Sequence, residues 1–382
     1  MSLPTRLAYS VRPGAQFGLL AAAASVTVMF VSTPFLIPEL ASHFDVTEGL
    51  AGGVSVAQVG AFAAINLFLP RFVRPSGRLL TIAAAGLVTA NLLSVVAPSF
   101  PVLLVIRVFA GAGAGTLTWI AWTDAMRQPR SLSALAKVGP VTALVAAPLV
   151  SLVAELGDRA VFLVLAVVAA PILLLRVETG AGSSTTRKVS KSRSNLVLLG
   201  TLFVHVLVGS ALFVYSAVAA RDELGLSPVL ASFGFSLNAL GGLIGAQFSN
   251  RHRRPGLWLA STGPAAFLVI AGGHEIWFFA GLFWWGLSFW MGIPGVIQML
   301  ADRSIEPGER AGDAQGVMAV GRAIGPAVGG AFTDAGAFAE LAVITGIGMT
   351  AAGLTITGVQ EGRELLPPSD PNFSPNPPGS SR

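Results

Sequence analysis

The chain contains no cysteine, which excludes disulfide staples, thiolate metal sites and cysteine nucleophiles. Charge is nearly as scarce: 11% of the 382 residues are Asp, Glu, Lys or Arg, against 53% that are hydrophobic. A soluble domain of this size does not show that balance. The four histidines, at positions 43, 205, 252 and 274, lack metal-ligand spacing, so no metal and no cofactor is expected. There is no GxxxxGK[ST] phosphate loop, and the loops are too short for a nucleotide-binding domain, so ATP does not drive the protein directly. No HExxH signature occurs and nothing resembles a repeated filter, which argues against an enzyme and against a channel.

What the chain does have is a succession of apolar runs, and its mean hydropathy is +0.72. Runs long enough to cross about 30 Å of hydrocarbon are predicted from Pro13 to Pro38 and then at 49–70, 79–97, 102–123, 134–154, 160–177, 195–220, 229–249, 255–273, 276–300, 312–333 and 341–359. The first is too long, and followed by too many others, to be a signal peptide. The reading is an all-α integral membrane protein with twelve transmembrane helices.

Of the 24 Lys and Arg, all but Arg107, Arg159, Arg221 and Arg322 fall in the termini and in every second loop. By the positive-inside rule both termini are cytoplasmic, in a bacterial-type plasma membrane. The net charge of +5 and pI near 10.4 are therefore topological, and no nucleic-acid partner is expected. The polar stretch 178–194, ETGAGSSTTRKVSKSRS, reads as a flexible cytoplasmic linker. It divides bundles at 1–177 and 195–360, and the Pro/Ser-rich tail 361–382 reads as disordered.

The two halves echo each other at a nearly constant offset. Arg71 and Arg74-Pro75 recur as Arg251 and Arg254-Pro255, Gln58 as Asn238, Asp124 as Asp302 and Pro148 as Pro326. A duplicated six-helix unit, giving two pseudo-symmetric six-helix bundles, explains the matches.

In these features the chain resembles the major facilitator superfamily of secondary transporters. Three motif regions carry the resemblance besides the span layout and linker. The fourth span reads RVFAGAGAG from Arg107, with Gly111 and Gly115 in the Gly-rich run. The Gly-Pro pattern that the family associates with exporters is whole in span eleven, Gly325-Pro326-Ala-Val-Gly-Gly330, and degraded in span five to Ala147-Pro148-Leu-Val-Ser151. The loop after span two keeps Gly77-Arg78 but has Arg74 where the family usually carries Asp. No acidic residue lies between Glu48 and Asp124, so Asp124 and Asp302 are the expected acceptors for Arg74, Arg78 and Arg254 in any cytoplasmic latch.

The resemblance implies a central site between the bundles. Steps of three and four place Arg107, Gly111, Ala114, Thr118 and Trp122 on one face of span four. Two readings are open for Arg107: it lines the pathway, or it bonds carbonyls and supports the outer gate. His205 lies deep in span seven and, since no Asp or Glu lies deep in any span, is either the candidate proton carrier or a neutral, hydrogen-bonded packing histidine. Arg322, deep in span eleven, either meets an anionic group of the substrate, or snorkels to the cytoplasmic side or pairs with Asp302 or Asp313. Gln58 and Asn238 read polar substrate atoms or form interhelical bonds, and Trp285 or Trp290 with Trp122 and Tyr215 offers a stacking surface.

The function expected is alternating-access transport by a monomer, with a small-molecule substrate, protons as coupling ion and the lipid bilayer as partners. The first choice is proton-coupled efflux of a small amphipathic or drug-like compound. Uptake or exchange of a small organic anion or metabolite is the second, and a transporter-like sensor that moves nothing is the third.

Overall fold

In a bilayer the backbone N–H and C=O groups find no water, so a segment that spans must bond to itself as helix. The computed structural model describes residues 16–125, 129–175, 177, 193–248, 254–302 and 307–364, and no strand occurs among them. In chain order the long helices are α1 (Phe17–Phe44), α2 (Gly53–Phe68), α3 (Gly77–Val95), α4 (Phe100–Ala125), α5 (Pro129–Ala154) and α6 (Asp158–Ala169). They continue as α7 (Arg193–Leu224), α8 (Pro228–Phe248), α9 (Pro255–Ala271), α10 (Glu275–Asp302), α11 (Pro307–Asp334) and α12 (Phe338–Glu364). A one-turn helix, Glu48–Ala51, precedes α2.

The twelve expected segments are thus twelve helices, with shifted ends. The first was expected to stop at Pro38, but α1 runs through Pro34 and Pro38 to Phe44, where Asp45 turns left-handed at φ 53° and its N–H bonds the Ala41 carbonyl. A helix packed among neighbours tolerates the bond each proline removes. The sixth segment is α6 plus a 3₁₀ turn, Ala170–Leu173, around Pro171. Helix α11 starts at Pro307, ahead of the expected 312. Among the described residues nine helices are long and apolar enough to span by length and composition, and α9 is a shorter apolar one. The expected linker lies outside the described residues except at its C-terminal end, where Arg193 and Ser194 open α7. Residues 361–364 of the expected tail continue α12, and the rest of the tail lies outside the described residues.

Pairing within the halves is repeated. Helices α2–α4, α3–α4, α1–α5 and α3–α6 pack together in the first, and α8–α10, α9–α10, α7–α11 and α9–α12 in the second. The halves meet along α2–α11 and its counterpart α5–α8, and also where α1 meets α7. The repetition reaches single residues. Where α4 crosses α2, a Cβ at Gly111 would run into the Gln58 carbonyl oxygen, and where α10 crosses α8, a Cβ at Gly286 would run into that of Asn238. Likewise the left-handed turn after α1, at Asp45, recurs after α7 at Gly225, with φ of 65°.

Candidate functional site

A cavity of about 330 Å³ lies between the halves, midway along the helices. From the first half, Phe30, Thr33 and Pro34 of α1 and Ser55, Val59 and Phe62 of α2 contribute to its wall. The second half supplies His205, Ser210 and Phe213 of α7, Asn238 of α8, Trp285, Phe289 and Trp290 of α10 and Arg322 of α11, among others. The surface is mainly aromatic and aliphatic with a few polar groups, the usual make-up of a small-molecule site. The rings hold one another: Phe30 meets Phe62 edge-on at 5.2 Å, Phe213 meets Trp285 at 5.6 Å and Phe289 meets Trp290 at 6.0 Å.

The polar residues of the wall differ in how they are provided for. Asn238 Nδ2 donates to the Leu282 carbonyl at 2.9 Å. The Ser210 hydroxyl is within reach of helix carbonyls, the Val206 one at 2.8 Å. His205 is buried, with its ring facing Phe289 at 6.2 Å. Its Nε2 stands 3.5 Å from Thr262 Oγ1, whose hydrogen goes to the Leu259 carbonyl at 2.5 Å. With that hydrogen engaged, Thr262 Oγ1 can accept from Nε2. The Met349 backbone lies beside the ring. Arg322 sits at the middle of α11 and is exposed because the cavity reaches it. It pairs with neither Asp302, which accepts from Gln298 Nε2 at 2.7 Å, nor Asp313. Pro326, one turn on, lacks the N–H that would bond the Arg322 carbonyl.

Arg107 is elsewhere. It is wholly buried inside the first half and does not line the cavity. Nη2 donates to Asn91 Oδ1 of α3 at 2.9 Å, Nη1 stands at a long 3.5 Å from Gln58 Oε1 of α2, and the guanidinium lies 4.9 Å from the Phe162 ring centroid of α6. Its partners are thus two neutral carboxamides and a ring face, rather than the backbone carbonyls of one of the two readings open from sequence. At the pseudo-equivalent place in α10 stands Leu282, and only its backbone oxygen is used, by Asn238. Gln58, the repeat partner of Asn238, is buried and faces Arg107 rather than the cavity. Thr118 is half-buried and Trp122 exposed, neither in the cavity wall.

One end of the cavity is closed by polar contacts between the halves, on the face opposite the one where α1 begins and α12 ends. Asp334, the last residue of α11, accepts from Thr47 Oγ1 at 2.8 Å and from the Gly49 N–H at 2.7 Å, capping the Glu48–Ala51 helix across the interface. Arg221, near the end of α7, reaches Glu48 at 2.8 Å while also bonding Asp222. Beneath them the buried Tyr215 hydroxyl lies 3.0 Å from the Pro326 carbonyl and 3.2 Å from that of Gly49, donating to one at a time. Tyr215 therefore belongs to this latch and not to the cavity wall. Gly325 and Gly329 let α11 lie against α7, since a Cβ at either would strike α7 atoms.

The pairs that the sequence offers for a cytoplasmic latch are not seen among the described residues. Arg74, Arg78 and Arg254 are exposed and, among the described residues, make no ion pair with Asp124 or Asp302. The contacts that join the halves ionically are on the opposite face, and α4 and α10, which carry Asp124 and Asp302, make no extensive contact. Pro148 sits inside α5, half-buried, and Gly115 packs against the Phe62 carbonyl of α2. Sequence reasoning missed Asn91, Phe162, Asp334 and the Glu48–Arg221 pair. Asn91, a lone carboxamide inside an apolar run, was the available signal for the first of these.

Comparison with known proteins agrees with this architecture. No curated protein matches the chain in sequence. Among solved structures, a bacterial homolog of the human lysosomal transporter Spinster, in an inward-facing and occupied conformation, matches with a TM-score of 0.68 at 14% identity, over 90% of this chain and 96% of that one. The human organic anion transporter MFSD10 (TETRAN) matches at 0.65 and 16% identity, over 89% and 97%. The peptide transporter POT in complex with sulfate matches at 0.68 and 15% identity, over 90% and 95%. Such identities speak for the fold alone. The family model of the Major Facilitator Superfamily matches residues 18–359, and with it the chain belongs to that superfamily, as an integral membrane transporter rather than an enzyme.

Proposed function

We propose that the protein exports a small amphipathic compound in exchange for protons, by alternating access of the central cavity to the two sides of the membrane. The observation that carries this is the cavity itself. It lies between two pseudo-symmetric halves, is walled by aromatic rings and a few polar groups, and is latched at one face. With the termini cytoplasmic, as the loop charges suggest, the latch lies on the outer face and the conformation is inward-facing. The Gly325-Pro326 pattern, which resembles that of exporters in the family, supports the outward direction.

His205 is the proton-binding group in this reading. A protonated imidazole has two N–H donors, and here Nε2 faces Thr262 Oγ1 while the Met349 backbone lies beside the ring. A thermal-shift screen on purified protein identifies a ligand, and its flux is then followed in proteoliposomes with and without an opposing pH gradient. The gradient is expected to accelerate flux. His205→Ala is expected to lose that acceleration while substrate exchange at equal pH persists. Full gradient-driven flux in the variant would remove His205 from the mechanism, and an absence of flux for every ligand found would remove transport.

A further inference from the structure

We infer that the cavity selects an organic monoanion, its single acid group held by Arg322 and its apolar body lying among Phe30, Phe62, Trp285 and Phe289. The inference deepens the transporter reading above and rests on it.

The protein contains two arginines deep inside helices, and it treats them oppositely. Arg107 has a carboxamide from α3, another from α2 and a ring face from α6, and is sealed from the cavity. Arg322 has no hydrogen-bond or ion-pair partner among the described residues, and its side chain is exposed where the cavity opens onto it. A charge kept at such depth without a partner is costly, and intramembrane charges face partners or watery pathways. The wall offers no counter-charge: among the lining residues Arg322 alone carries a fixed charge and none is acidic. Asp334, on the same helix, is engaged by Thr47 and Gly49. A planar guanidinium takes a carboxylate or sulfonate through two parallel bonds. One positive group matches one negative group, whereas a dianion would bring a second charge into an apolar wall. The volume of about 330 Å³ is at the small end of ligand sites, enough for a ring and its acid side arm. Asn238, with Nδ2 engaged by Leu282, has Oδ1 left to accept from a donor on the ligand.

Trp285 and Trp290 line the cavity, so a nitrophenyl probe that enters will quench their fluorescence. Three near-isosteric probes differ in charge: (4-nitrophenyl)acetic acid, its neutral amide and the cationic 4-nitrophenethylamine. Binding is measured on the full chain in zwitterionic nanodiscs. The acid is expected to bind at least tenfold more tightly than the amide, with the amine weakest. Charge-assisted hydrogen bonds warrant a factor on the order of ten to a hundred. Arg322→Gln is expected to level acid and amide, and Arg322→Lys to retain part of the preference. Equal affinities in the unaltered protein, no measurable binding of the acid, or a preference that survives Arg322→Gln would overturn the inference. The acid–amide comparison needs no variant, so a misfolded Arg322→Gln protein does not block it. Loss of acid binding in nanodiscs of anionic lipid would make a lipid headgroup the occupant and overturn the soluble-acid assignment. Flux separates the two proposals: an acid that binds but does not cross proteoliposomes refutes the carrier and keeps the site, whereas equal flux of acid and amide does the reverse.

Discussion

Replacing Arg107 by alanine is expected to destabilise the protein by about 2–4 kcal/mol, an estimate that combines a large-to-small core substitution with the loss of charge-assisted hydrogen bonds. The guanidinium is among the largest fully buried side chains, and its removal leaves a void between α2, α3, α4 and α6. Asn91 Oδ1 would lose its 2.9 Å donor in a place without another. An offset exists, because the charge itself is expensive to bury and Arg107 Nε is already unpaired. Arg107→Met separates the two effects: it keeps most of the volume and discards the charge, so it is expected to recover more than half of the loss. Reversible denaturation in detergent is the measurement. An alanine variant as stable as the parent but deficient in ligand binding would return Arg107 to the pathway reading.

Asp334→Ala is expected to unlatch one face of the cavity. The variant deletes the carboxylate that accepts from Thr47 Oγ1 and from the Gly49 N–H across the interface. These bonds are solvent-exposed, so screening reduces their worth. About 1–2 kcal/mol remains, a shift of roughly 5–30-fold between latched and unlatched populations. Adding Glu48→Ala, which frees Arg221, is expected to extend the shift. The absence of cysteine makes the measurement direct. A single cysteine at Ser55, buried in the cavity wall behind the latch, should be labelled by an impermeant maleimide from the latched side faster in the variant by that factor. An unchanged rate would mean that Asp334 does not hold the halves together.

These two residues illustrate how unevenly the protein could be read in advance. Arg107 announced itself as a charge within LLVIRVFAGAGAG, yet its role turned on Asn91 and Phe162, which sit on other helices. Asp334 is not among the residues that the sequence singles out. Its partners Thr47 and Gly49 are 287 and 285 residues away, and no local pattern links them. Tyr215 and Trp285 were grouped as one aromatic surface, but they face different things: Trp285 is in the cavity wall and Tyr215 beneath the latch. The two sit on different helices, α7 and α10, and each faces the neighbours that packing gives its own turn.

The sequence alone determined that the chain spans a membrane with twelve helices in two related halves. Hydrocarbon imposes length and apolarity on each span, and these demands are local, so they leave a local record. Tertiary structure decided which buried arginine is neutralised and which is left open to a cavity, and at which face the halves are tied. Those outcomes depend on side chains contributed by three or four helices at once, whose meeting is set by packing and by the glycine crossings at Gly111 and Gly286.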